Sequence, residues 1–71
     1  MDFYCVDTDA SPTGEHIVHR IKCEYIPADK IELGPFPTCY EAIHAARKHY
    51  QKINGCQQCC MECYRTKITR G

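Results

Sequence analysis

The chain carries no net charge, no long apolar run and no repeat, and each absence removes a class of function. Nine basic residues balance nine acidic ones, so a broad basic face for neutralising phosphates is not expected. The charges are unevenly spread: Asp2, Asp7, Asp9 and Glu15 precede any Lys or Arg, whereas Arg65, Lys67 and Arg70 close the chain. Residues 65–71 read as a flexible basic tail, solvated at the end of a single domain spanning residues 1–64. No segment is apolar over the length a bilayer requires, so no membrane role is expected. The opening stretch "MDFYCVDTDA" has neither a basic start nor an apolar core, which reads as a chain without an export signal. Cytoplasmic location and a monomer are the expectations.

The chain is short as well. Seventy-one residues hold one domain and bury only roughly 60% of the unfolded surface, so the core alone is marginal. Domains of this size are commonly stapled by disulfides, a metal or a partner. Seven cysteines are the obvious supply, and four of them crowd into "NGCQQCCMECYR": Cys56, Cys59, Cys60 and Cys63. Because the count is odd, pairing cannot be complete within the chain. In a reducing compartment such a pattern reads as metal-binding or catalytic rather than as a disulfide clasp.

Periodicity predicts an α+β fold with about three short antiparallel strands, one main helix and a C-terminal cysteine knuckle. "DFYCVD" reads as a strand, and "TDASPTGE" as the loop that closes a hairpin. "HIVHRIKC" is a second strand; period two would place Ile17, His19, Ile21 and Cys23 on one face. "IELGPF" is a third, and Pro35, lacking an amide hydrogen, assigns it to an edge. Thr38 and Glu41 form a T-x-x-E capping box. From about Cys39 to Ile53, Ala42, Ile43, Ala46 and Tyr50 recur at helical spacing, with Glu41, His44, Arg47, Lys48 and Gln51 opposite. Asn54-Gly55 would end that helix in left-handed conformation just before Cys56.

"CQQC" places two thiolates on one tight turn, the spacing of a tetrahedral zinc knuckle. Redox dithiols share that spacing, so a second pair matters. "HRIKC" supplies His19 and Cys23, and zinc accepts thiolate sulfur and imidazole nitrogen alike. His16 is the rival histidine, while His44 and His49 read as solvated helix residues. Cys5 and Cys39 read as small apolar packing residues. Cys60 and Cys63 repeat the C-x-x-C spacing, and spacing alone does not choose among these pairs.

The stretches "HRIKC", "GPF", "TCYEAIHAA" and "GCQQC" resemble the small metal-binding domain of the Ada DNA-repair family and its nuclease-appended relatives. The resemblance runs from His19 to Cys59 and implies a compact α/β unit whose ligands are His19, Cys23, Cys56 and Cys59. Cys60 and Cys63 remain alternates for the fourth position. In that family one zinc-bound cysteine of the first pair accepts a methyl group from damaged DNA. Here the first pair begins with His19, leaving Cys23 alone for that part, and Asn54-Gly55 replaces the family's Arg-Pro.

Three functions follow as expectations. The leading one is a structural-zinc binding or accessory module, more a binder than an enzyme, with a protein partner favoured over nucleic acid. A zinc-thiolate or free-thiolate alkyl acceptor or redox protein is second. The third is a disulfide-bonded secreted peptide, which would need export and would leave one thiol over.

Overall fold

The computed structural model describes residues 1–24 and 26–64; the basic tail expected at 65–71 lies outside them. Its elements are β1 (Asp2–Asp7), β2 (His16–Arg20), β3 (Lys30–Phe36), α1 (Cys39–Ala46) and β4 (Ile53–Gly55), followed by a 3₁₀ turn at Met61–Cys63. The strands form one sheet in the order β3-β1-β2-β4. β1 pairs antiparallel with both neighbours, and β4 runs parallel to β2. The α+β class is as the periodicity predicts, but the sheet has four strands and is mixed.

Alternation along β1 divides its side chains between two faces. Tyr4 and Val6 join Val18 of β2 and Cys39, Ala42 and Ala46 of α1 in one buried cluster. Cys5 and Asp7 point the other way, and Cys5 stands opposite His19 in the β1–β2 register. β3 is an edge strand, as Pro35 requires. Its register against β1 shifts between Tyr4 and Cys5, beside Gly34, whose φ of +104° suits a residue without Cβ.

The helix differs from expectation at both ends. Thr38 is extended and makes no side-chain cap bond; only its carbonyl accepts, from the Ala42 amide at 3.4 Å. The C-terminal end comes at Ala46 rather than near Ile53. Lys48 and His49 donate back to Ala45 and Ala46 at 3.2 and 2.9 Å, a 3₁₀-type tightening that closes the last turn. Beyond it, Tyr50 stacks on His16 with centroids 3.5 Å apart and planes 5° from parallel. The His16 amide then donates to Lys52 at 2.8 Å, and Ile53, Asn54 and Gly55 pair with β2. Pairing with an open strand edge thus overrides the local helical period.

Asn54-Gly55 is therefore a strand end and not a helix cap. Among the described residues only Gly14 and Gly34 have positive φ. Gly55 is needed for closeness instead: a Cβ there would meet Cys63 Cβ at 2.9 Å and the Cys60 carbonyl oxygen at 3.0 Å. The knuckle folds directly over this glycine.

Candidate metal centre

The site is built where β2 and β4 end side by side. β2 stops at Arg20, and a turn closed by the Cys23 amide on the Arg20 carbonyl at 2.9 Å brings Cys23 back. His19 and Cys23 therefore meet through a turn and not through a continued pleat. β4 delivers Cys56, whose amide donates to the Val18 carbonyl at 2.9 Å. The chain then turns so tightly that the Cys60 amide donates to the Cys56 carbonyl at 2.9 Å, and this turn presents Cys59.

The ligand atoms of His19, Cys23, Cys56 and Cys59 all lie within 4.8 Å of one another. Cys23 Sγ and Cys56 Sγ are 3.9 Å apart, and Cys59 Sγ is 4.0 Å from His19 Nδ1. A tetrahedral zinc with the usual bond lengths would separate two sulfurs by about 3.8 Å and a sulfur from a nitrogen by about 3.6 Å. These two separations lie within a few tenths of an ångström of those values, and no separation in the group exceeds them by more than about an ångström. The four residues are those expected from the paired motifs, and together they could hold a metal ion.

Surrounding groups suit a charged centre. The Arg20 amide donates to Cys59 Sγ at 3.2 Å and the Gln58 amide to Cys56 Sγ at 3.4 Å, bonds that favour thiolate sulfur. Burial works in the opposite sense and pushes the Cys59 thiol up, the Arg20 amide only partly offsetting it. A cation among these sulfurs would compensate that burial.

Asp7 was missed by sequence reasoning. Its Oδ1 lies 3.0 Å from His19 Nε2, on the side of the ring away from Cys59. The separation is that of an ion pair, whereas the alignment falls short of a hydrogen bond and leaves buried Oδ1 without one. At that distance the carboxylate and the imidazole are direct neighbours. A carboxylate behind a metal-bound imidazole fixes its tautomer and orientation. Burial raises the Asp7 carboxyl above its ordinary range, with His19 opposing that rise. In the sequence Asp7 is only the polar end of a strand. Its role depends on register, which sets it diagonal to His19 across β1 and β2.

The remaining candidates fall elsewhere. His16 is committed to its stack on Tyr50, and its Nδ1–H donates to the Asp7 carbonyl at 2.9 Å. His44 and His49 are exposed, as expected of solvated positions. Cys5 is buried, and burial pushes its thiol up to about 11. Cys60 is fully buried in the core beneath the knuckle, outside the ligand group, and burial raises its thiol too.

Cys63 cannot serve as an alternate ligand, because it is disulfide-bonded to Cys39. The reading of Cys39 as a simple packing thiol is corrected with it. The reason is tertiary: the 3₁₀ turn after the knuckle carries Cys63 onto the first residue of α1. Seven cysteines thus divide into three candidate ligands, one disulfide pair and two buried thiols. This division accommodates the odd count.

Compared with known proteins, the chain matches no family model, no curated protein and no solved structure. Its own geometry therefore carries the functional argument. Among the described residues no helix is long and apolar enough to cross a membrane.

Proposed function

We propose that this chain is a zinc-stabilised binding or accessory module, with the ion held by His19, Cys23, Cys56 and Cys59. The observation that carries the reading is the convergence of four donor atoms within 4.8 Å from two separate parts of the chain. Zinc suits a set of three thiolates and one imidazole. When bound it ties the end of β2 to the knuckle, in a domain too small to rely on its core. The spacing of this set is also the feature that supports an Ada-type architecture. A protein partner suits the neutral chain better than bare nucleic acid, since no excess of basic residues is available to neutralise phosphates. A cytoplasmic setting belongs to the same reading, because thiolate ligands persist where thiols stay reduced, and there the Cys39–Cys63 bond would be subject to thiol exchange.

Metal analysis of protein made in zinc-supplied cells tests the proposal, with one zinc per chain expected. Cobalt substitution should give the visible spectrum of three thiolates and one nitrogen. Protein that is folded and metal-free would overturn the reading.

One observation favours a second reading, an alkyl-accepting thiolate. Buried Cys23 and half-buried Cys59 border an open cleft of about 240 Å³ together with Glu24 and Gln58, so two of the ligand residues adjoin a space that a small alkyl donor could enter. Methyl iodide treatment of the zinc-loaded protein followed by mapping would decide it. Absence of a methyl group on either cysteine would remove this reading.

A further inference from the structure

A second cavity, of about 260 Å³, opens on the side of the knuckle that faces α1, and Cys63 is part of its wall. Tyr40, His44 and Arg47 line it from the helix, and Asn54 from β4. His44 and Arg47 are three residues apart, so both project from one helix face. Among the described residues neither side chain makes an ion pair or hydrogen bond. The nearest acid of the knuckle, Glu62, is already committed to Arg20 at 3.2 Å, and its carbonyl accepts from Tyr40 Oη at 3.1 Å. The cavity thus offers an uncommitted guanidinium and an imidazole directly beside a disulfide.

We propose that this cavity is a binding site for a small anionic thiol, which opens the Cys39–Cys63 disulfide from the Cys63 side. Both cysteines are buried, Cys39 completely, but only Cys63 is part of the cavity wall, so attack is directed to the Cys63 side. The anionic group, a carboxylate or sulfonate, pairs with Arg47, and Arg forks suit oxygen anions of that shape. The thiolate sulfur then attacks Cys63 Sγ. A bond forms between them as the Cys39–Cys63 bond breaks, and Cys39 leaves with the electron pair. Cys39 is the first residue of α1, where the positive end of the helix favours the departing charge. The leaving sulfur takes a proton from water. A second molecule of the thiol attacks the mixed disulfide, releases the symmetrical small-molecule disulfide and leaves Cys63 reduced. Two thiols are oxidised, and the protein disulfide takes up two electrons.

The overall field of the protein cannot supply this preference, because the formal net charge is zero. Arg65, Lys67 and Arg70 follow Cys63 in sequence, so it is the Arg47 variants that assign a preference to the cavity. That makes the proposal separable from the metal reading as well, since none of the four candidate ligands lines the cavity.

The test compares three reductants on the metal-replete full chain: 2-mercaptoethanesulfonate, 2-mercaptoethanol and cysteamine. Opening is followed without oxygen at low ionic strength by quenched thiol labelling and mass mapping, with rates expressed per thiolate. The sulfonate should act about tenfold faster than cysteamine, with the neutral thiol between, and added salt should narrow the gap. Arg47→Gln should abolish the preference, and Arg47→Lys should keep part of it. Arg47 is exposed, so both variants should fold, which circular dichroism checks. Mapping should place the first mixed disulfide on Cys63. Equal per-thiolate rates for the three reagents would overturn the proposal. So would an undiminished sulfonate preference in Arg47→Gln, or opening at a rate independent of thiol concentration.

Discussion

The eight residues from Cys56 to Cys63 serve two regions of the molecule that differ in kind. On one side, Cys56 and Cys59 turn towards the end of β2 and join His19 and Cys23 in a polar cradle with amide donors on its sulfurs. On the other, Cys60 sinks into the core and Cys63 bonds to Cys39 at the head of α1. The first region suits a cross-link that needs an ion and is reversible by chelation. The second is a covalent cross-link, reversible only by electrons. Two C-x-x-C pairs with the same spacing therefore have different chemistry. What separates them is the surface each pair meets: imidazole and a turn thiol in one case, a single helix thiol in the other.

The sharpest way to break this comparison is to remove a ligand. Cys23→Ser or Cys56→Ser should lose the metal and unfold the domain, because structural zinc contributes on the order of 10 kcal/mol of apparent folding free energy. Metal content together with circular dichroism reads both effects. A Cys56→Ser protein that stays folded would mean that the cradle is not the main staple.

Removing the other cross-link should be milder. Cys39→Ser frees a link spanning 24 residues in sequence, and loop-closure entropy puts the loss at about 3 kcal/mol. Denaturant titration should show that loss while metal content stays unchanged. Loss of the ion as well would show that the two regions are not independent.

Gly55 lies under both regions, and a methyl group there probes their shared floor. Gly55→Ala should cost about 1–3 kcal/mol, the usual range for forcing an added carbon into a packed site, since the new Cβ would meet Cys63 Cβ at 2.9 Å. A melting temperature equal to that of the parent protein would refute the close approach.

Asp7→Asn should have the smallest effect on the fold and a selective one on the cradle. Weakening the group that orients His19 should lower zinc affinity about tenfold, the lower end for such supporting residues. Chelator competition measures this change, and nitrogen chemical shifts of His19 should report an altered tautomer balance. An unchanged affinity would reduce Asp7 to a strand residue. The Cys39–Cys63 bond should be unaffected in every Asp7 variant.

Much of the cradle was legible in the sequence because its ligands come as two short-range pairs. C-x-x-C on a tight turn, and His-x3-Cys at a strand end, restrict geometry over a few residues whatever the rest of the chain does. The route from His19 to Cys23 was misjudged even so: a turn after Arg20, and not a pleat through Lys22, brings the two together. The strands β1, β2 and β3 were also legible, through their β-branched and aromatic runs and through Pro35. The helix was overextended because Tyr50 and Ile53 continue a helical period while packing from other elements. Tyr50 faces His16 and Ile53 extends the sheet, and no local signal distinguishes those uses from a longer helix.

By itself the sequence determined the α+β class, the edge position of β3, the need for a staple and the paired motifs from which metal ligands could come, with Cys60 and Cys63 still open as alternates. These follow from composition and from spacings of a few residues, where chain geometry leaves few choices. Only the tertiary structure decided that β4 joins the sheet in parallel, that Asp7 stands behind His19 and that Cys63 bonds to Cys39. Each of these joins residues distant in sequence, and their meeting depends on register and on which free edge or helix end a segment reaches first. Spacing along the chain carries no information about that.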